Sequence, residues 1–366
     1  MMHKQRLSRL IEQANVYKFD TLALVPGPNL FYLTGLSFHL SERPIVVLFP
    51  VVGSPAIVAP GFEAVKLSGA PIEMEAFTYT DEEGYTQAFQ DAYAALGLAE
   101  RVVAVEAFHM RMVEVRLLER FAPGCRIIPA EDALAELRMR KDAQELAQMR
   151  RAAVITEAAL KATMRQAQTG MTEKELAGIL MAEMLQRGAE GMSFSPIVAA
   201  GPNAAVGHAT PSDRPIQEGE TIVIDCGNIV GGYASDITRT FVLGELEPEM
   251  ARIYEVVREA NAAGREAARP GVTAESVDQA ARAVVEEAGY GGFFRHRTGH
   301  GLGLEVHEPP YIVAGNERVL EEGMTFTVEP GIYLSGRGGV RIEDDVVITA
   351  DGSESMTTFP RELTSL

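Results

Sequence analysis

Cysteine is scarce: Cys125 and Cys226 are the only two in 366 residues and lie far apart in the chain. A disulfide framework is therefore excluded, and a reducing compartment fits. Positive charge is also in short supply. Lys and Arg number 33 against 51 Asp and Glu, a formal charge of -18, which repels phosphate backbones and argues against a nucleic-acid partner. No segment offers about 18 uninterrupted apolar residues, and the start, Met-Met-His-Lys-Gln-Arg-Leu, has no long apolar core. Neither membrane insertion nor export is expected, which leaves the cytoplasm as the expected location.

What is present is an ordinary globular composition, 46% hydrophobic and 23% charged, and at this length two domains are expected. Helical patterning over 5–14 precedes short apolar runs at 21–25, 45–49, 56–59 and 102–105, read as strands, with a further helix over 108–120. This alternation predicts a small α/β domain over residues 1–131. A charged helical stretch over 131–168, broken near 138–141, follows. Leu146, Met149, Ala153, Leu160 and Met164 give it a buried stripe, so it reads as a packed linker helix. Thr172 and Glu175 form a capping-box pair that opens a helix over 173–187. The helical runs 145–187 and 250–288 each precede a strand-rich stretch with a carboxylate-bearing hairpin, which suggests two related half-domains.

The first hairpin runs through Asp225-Cys-Gly-Asn-Ile-Val-Gly231-Gly232-Tyr-Ala-Ser-Asp236. A two-residue loop at Val230-Gly231 would set Ile229 against Gly232 and Asp225 against Asp236 on one face. Facing carboxylates repel unless hydrated, protonated or bridged by a cation. Cys226 falls on the opposite face and is read as a packing residue. In the second hairpin, a turn over 335–337 pairs Leu334 with Gly338 and brings Glu329 opposite Glu343, with Arg341 on their face. His300, bordered by Gly299 and Gly301, is the remaining ligand candidate. Four carboxylates and one imidazole form an oxygen-rich set suited to Mn, Co, Fe or Zn.

Asp225-Cys-Gly, Ser235-Asp236-Ile-Thr-Arg, His296-Arg-Thr-Gly-His300-Gly-Leu-Gly, His307-Glu-Pro, Val328-Glu329-Pro-Gly and Arg341-Ile-Glu343-Asp stand in that order. They resemble the motifs of the pita-bread metallopeptidases. The likeness covers residues 132–360, and Asn29-Leu-Phe-Tyr-Leu-Thr-Gly35 resembles the creatinase-type N-terminal domain. The resemblance implies an α+β fold, with a pita-bread catalytic domain over 132–366 behind a smaller creatinase-like α/β domain over 1–131.

It also implies two divalent ions, Mn(II) first, with Co(II), Zn(II) or Fe(II) as alternatives. Asp225 would hold one ion, Asp236 and Glu343 would bridge both, and His300 and Glu329 would bind the second. By the same resemblance His208 binds near the substrate end, His307 stabilises the attacked carbonyl, and Glu329 shuttles the proton. Arg341 keeps the carboxylates oriented. The implied reaction is hydrolysis of the bond before proline in small peptides by a homodimeric Xaa-Pro dipeptidase. An aminopeptidase P acting on longer peptides is the alternative, and a non-catalytic binding protein of the same fold, marked by lost ligands, is a further one. Arg295 and Arg297 around His296 depart from the family's usual wording there, which bears on substrate charge preference.

Overall fold

The computed structural model describes residues 2–365, which divide between Arg138 and Met139 into two compact units. In the first unit a six-stranded sheet has the order Glu75–Tyr79, Ala56–Pro60, Val46–Pro50, Thr21–Leu24, Val102–Val105, Arg126–Pro129. Its central strands are continuous apolar runs, buried almost throughout, as suits a sheet covered on both faces. Phe89 and Tyr93 of the Thr86–Ala95 helix and Leu117 and Leu118 of the Met112–Phe121 helix pack with Ala23, Val46, Leu48 and Val103 in one core.

The strands expected at 21–25, 45–49, 56–59 and 102–105 are all present, with ends within a residue or two. The helix expected over 108–120 starts later, at Met112. Met110 N donates to Glu106 O at 2.7 Å and closes a turn first, and Glu114 then accepts from Arg111 N at 3.0 Å to open the helix. Apolar periodicity gave no sign of the seven-residue helix Pro28–Thr34. Pro28 starts it and Gly35 ends it, with Gly35 N–H donating to Phe31 O, the usual placement of these two residues at helix ends. Its buried Asn29 donates to Glu106 Oε1 at 2.8 Å and accepts from Arg138 Nη1 at 2.7 Å.

In the second unit the order of elements repeats. Helices Ala143–Met164 and Glu173–Gln186 precede a sheet of Ile197–Ala200, Thr221–Cys226, Ile237–Val242 and Thr364–Ser365; helices Pro248–Ala267 and Ala274–Glu287 precede a five-stranded antiparallel sheet. The expected capping box of Thr172 with Glu175 is formed, and a second one, Asp142 with Glu145, opens the helix before it. The long charged stretch is interrupted where expected, between Arg138 and Ala143. The buried faces of the first helix pair meet the Thr221–Cys226 and Ile237–Val242 strands around Leu160, Leu180, Ile224, Cys226 and Phe241. This fixes the hairpin that carries the first carboxylates. The fold is α+β, and among the described residues no helix is long and apolar enough to cross a membrane.

Candidate metal centre

The first hairpin turns one residue later than expected. Val230 pairs with Tyr233 and Ile229 with Ala234, so the loop is Gly231-Gly232, with φ of 59° and 82°. A two-residue hairpin loop of this kind needs positive φ at both positions, which β-branched Val230 resists and the glycine pair accepts. The same register sets Asp225 opposite Thr238 and Cys226 opposite Ile237, so Asp225 does not face Asp236. The shift amounts to two residues of partner, and an even slip leaves every side chain on its face. The ladder is broken at Gly227, where a Cβ would lie 1.9 Å from Ser235 O. Asp236 follows that break, and its N–H donates to Asp345 Oδ2 at 3.1 Å. Cys226 is buried in the apolar core, as expected.

The second hairpin has the expected turn, Leu334 pairing with Gly338 and Gly331 with Arg341. A separate ladder pairs Val328 with Asp344 in the five-stranded sheet and keeps the same count. Glu329 and Glu343 occupy the gap between the two ladders. Their backbones turn to other partners there, Glu329 N donating to Thr298 O at 2.7 Å and Glu343 N to Thr238 O at 3.1 Å. His300 lies on the short strand Gly299–Gly301, and its bordering glycines are needed for close approach. A Cβ at Gly299 would meet Thr327 O at 1.8 Å, and one at Gly301 would meet Pro309 O at 2.3 Å.

These elements bring all eight candidates, Asp225, Asp236, His300, Glu329, Glu343, His208, His307 and Arg341, to the wall of one cavity of about 1030 Å³. Asp236, His300 and Glu343 each place a ligand atom within 4.8 Å of the others, and all three are buried. His300 Nδ1 lies 3.2 Å from Gly301 O. Only a protonated Nδ1 can donate to that carbonyl, so the lone pair of a neutral ring sits on Nε2. Burial, then His307 and Arg297, hold the His300 pKa well below its ordinary value. The Nε2 lone pair thus points toward Glu329 Oε1 at 3.3 Å and Asp236 Oδ2 at 3.8 Å, so the ring offers these carboxyl groups an acceptor and no donor.

The carboxylates show the same frustration. Burial, and then the neighbouring acids, push Asp236 and Glu343 well above the carboxylate range; burial raises Glu329 to about 7 against the pull of Arg341. Asp225 Oδ1 and Asp236 Oδ1 are buried without a hydrogen-bond partner among the described residues. Orphaned acceptors, crowded negative charge and an imidazole lone pair in one buried cluster are what divalent cations neutralise, so this donor set fits the ions that the resemblance implied.

Several working residues carried no sequence signal of their own. Thr238 Oγ1 donates to Glu343 Oε2 at 2.6 Å and accepts from Arg341 Nε at 3.0 Å. Tyr333 OH accepts from Arg341 Nη1 at 2.9 Å and lies 2.9 Å from His296 Nε2. Arg341, expected to keep the hairpin carboxylates oriented, donates from Nη2 to Asp225 of the other hairpin. Two were within reach of register counting: the hydroxyl at 238, placed opposite a carboxylate once the glycine pair is taken as the loop, and Tyr333, which the second hairpin's count sets on the Arg341 face. The bonds of Arg341 to Asp225 and Thr238 depend on how the two hairpins meet. His307 stacks edge-on against His300 with ring centroids 4.1 Å apart, and His208 reaches the cavity from an exposed loop.

Comparison with known proteins agrees with this geometry. Residues 147–350 match the model of metallopeptidase family M24, and residues 6–140 match the creatinase/prolidase N-terminal domain. The chain is 34% identical over 365 residues to an Xaa-Pro dipeptidase of Lactobacillus helveticus, covering 99% of this chain and 98% of that protein. It is 39% identical over 347 residues to a probable dipeptidase, PepE, of Mycobacterium bovis, covering 93% and 91%. The crystal structure of a prolidase from Thermococcus sibiricus superposes with a TM-score of 0.95 at 34% identity, covering 100% of both chains.

Proposed function

The chain belongs to metallopeptidase family M24 and carries a creatinase/prolidase N-terminal domain, and on that premise we propose that it is an Xaa-Pro dipeptidase. The observation that carries the reading is the buried convergence of Asp236, His300 and Glu343 beside two orphaned carboxylate oxygens. Asp225, Asp236, His300, Glu329 and Glu343 would hold two divalent ions, Mn(II) first by the hardness of the donors. When bound, such ions supply a lowered pKa for water and polarisation of the scissile carbonyl.

The chain's own groups do the rest. Glu329 takes the proton of the attacking water and delivers it to the proline nitrogen, which must leave as an amine. His307, held largely neutral by burial and then by Arg297, donates a hydrogen bond to the carbonyl oxygen as negative charge develops on it. His208 fixes the substrate, and Arg341 orients Asp225. Arg295 and Arg297 line the cavity, and Arg297 lies over the Tyr311 ring at 4.6 Å from its centroid. A cation there suits a free carboxylate directly after the scissile bond, which favours dipeptides. The two free cysteines fit a cytoplasmic setting, and a homodimer is the assembly expected for such an enzyme.

The test compares Ala-Pro with Ala-Pro-Ala under identical metal loading. The dipeptide should have the higher kcat/KM by about tenfold, the worth of one charge-assisted hydrogen bond to its carboxylate. Preference for the tripeptide by that margin would make the enzyme an aminopeptidase P.

A further inference from the structure

We propose that Glu173 is a positioning residue for catalysis, its buried carboxylate fixing the loop of residues 201–211 that presents His208 to the cavity. The inference rests on the proposed substrate-binding role of His208. Glu173 does not itself line the cavity.

Glu173 opens the helix Glu173–Gln186, and its side chain is fully buried. Capping of that helix is done by Thr172 and Glu175, so the helix start gives Glu173 no task. Its oxygens are used elsewhere. Oε1 accepts from Ala200 N at 2.7 Å and Asn203 Nδ2 at 3.1 Å, while Oε2 accepts from Ser212 N at 2.9 Å, Ser212 Oγ at 2.6 Å and Asn203 Nδ2 at 3.1 Å. Ala200 and Asn203 precede His208, and Ser212 follows it. One carboxylate therefore closes the loop at both ends, with charge-assisted bonds stronger than neutral ones.

Between those ends Val206 N donates to Asn203 O at 2.9 Å and Ala209 N to Val206 O at 3.2 Å; Arg341 Nη1 reaches Gly207 O at 3.4 Å. The tip with His208 is exposed, so its position is inherited from the ends. Misplacing a substrate-holding group by about 1 Å can cost roughly 10²-fold in rate.

Glu173→Gln keeps the shape but turns one acceptor into a donor facing other donors, and Ser212→Ala, which removes one bond to Glu173 and the two that Ser212 Oγ accepts from Asn203 Nδ2 and Arg214 N while leaving the carboxylate in place, is the milder variant should the first fold poorly. With the metal-loaded full chain and Ala-Pro, Glu173→Gln should lower kcat/KM about tenfold or more and Ser212→Ala about threefold. Metal content should not change. Amide hydrogen exchange should quicken at 201–211 and not along the rest of the helix. In a His208→Ala background neither change should lower kcat/KM further by more than about twofold, since its route is already cut. Undiminished losses in that background, or unchanged exchange at 201–211, would overturn the proposal. If the unaltered protein cleaves no proline peptide, the substrate reading fails on its own, and unchanged exchange still overturns the clasp.

Discussion

Arg341 Nη2 and Asp225 Oδ2 meet at 2.5 Å with both side chains largely buried, and the other Asp225 oxygen, Oδ1, has no hydrogen-bond partner among the described residues. The guanidinium thus occupies one oxygen of a carboxylate on the cavity wall and leaves the second without a partner among the described residues. The same guanidinium binds Thr238 and Tyr333, so it ties the two hairpins together at the point where ions would sit.

Replacing Arg341 should therefore act through the metal. Arg341→Met should lower metal affinity roughly 10–100-fold, the usual effect of losing a group that orients a ligand. Arg341→Lys should recover only part of this, because one ammonium cannot serve Asp225, Thr238 and Tyr333 together. Calorimetric metal titration is the measurement, and unchanged affinity in Arg341→Met would remove the orienting role.

Thorough chelation should abolish peptidase activity, and Mn or Co should restore it better than Mg, which dehydrates reluctantly. Asp236→Asn should cost more than the roughly 10–100-fold of an orienting residue, since a neutral amide replaces a ligand charge. Cys226→Ser should stay active when folded. Activity in verified metal-free protein would end the mechanism, and a folded Cys226→Ser protein with a disrupted metal centre would contradict the facing of this hairpin.

The pH dependence of stability should reverse on metal loading. Because the folded-state pKa values of Asp236, Glu343 and Glu329 are raised, the chelated folded chain holds protons that the unfolded chain has released. Its stability then falls as pH rises from the ordinary carboxylate range, a window that for Glu329 reaches about 7, in accord with proton linkage. Ions compete with those protons, so the rise in Tm on adding Mn should be larger near pH about 7.5 than near pH about 5. Thermal melts at the two pH values decide it; an equal or smaller rise at the higher pH would count against this ligand set.

Away from the cavity, Arg239 is fully buried, pairs with Asp344 Oδ1 at 2.8 Å and donates to the carbonyls of Glu343, Phe359 and Pro360. Arg239→Met should cost about 3–5 kcal/mol of unfolding free energy by stranding a buried charge. Arg361 Nε, which also holds Asp344 at 2.7 Å, sets the lower end of that range. Denaturant melts of the metal-loaded protein give the number, and a loss below about 1 kcal/mol would mean that Arg361 suffices.

The long helices and apolar strands were legible because their signals are local: the pair Thr172 with Glu175 acts within one turn. Counting outward from a turn located Glu329 and Glu343 correctly, because Ser335 to Arg337 leave one workable register. It misjudged the partner of Asp225, because choosing between Val230-Gly231 and Gly231-Gly232 depends on φ preferences that hydrophobic alternation does not express. The helix Pro28–Thr34 is too short for periodicity to show, and Arg341 reaches Asp225 only through the meeting of two hairpins that lie far apart in the chain.

The continuous count across the gap that holds Glu329 and Glu343 separates the chemistry from the hairpin tip. The inner ladder, Val328 with Asp344, is fixed by the five-stranded sheet, so it anchors these two acids without help from the hairpin beyond them. The tip of that hairpin, with Ser335 on the cavity wall, is free to lengthen or change. Substitutions at the tip can retune selectivity while the chemistry stays where it is.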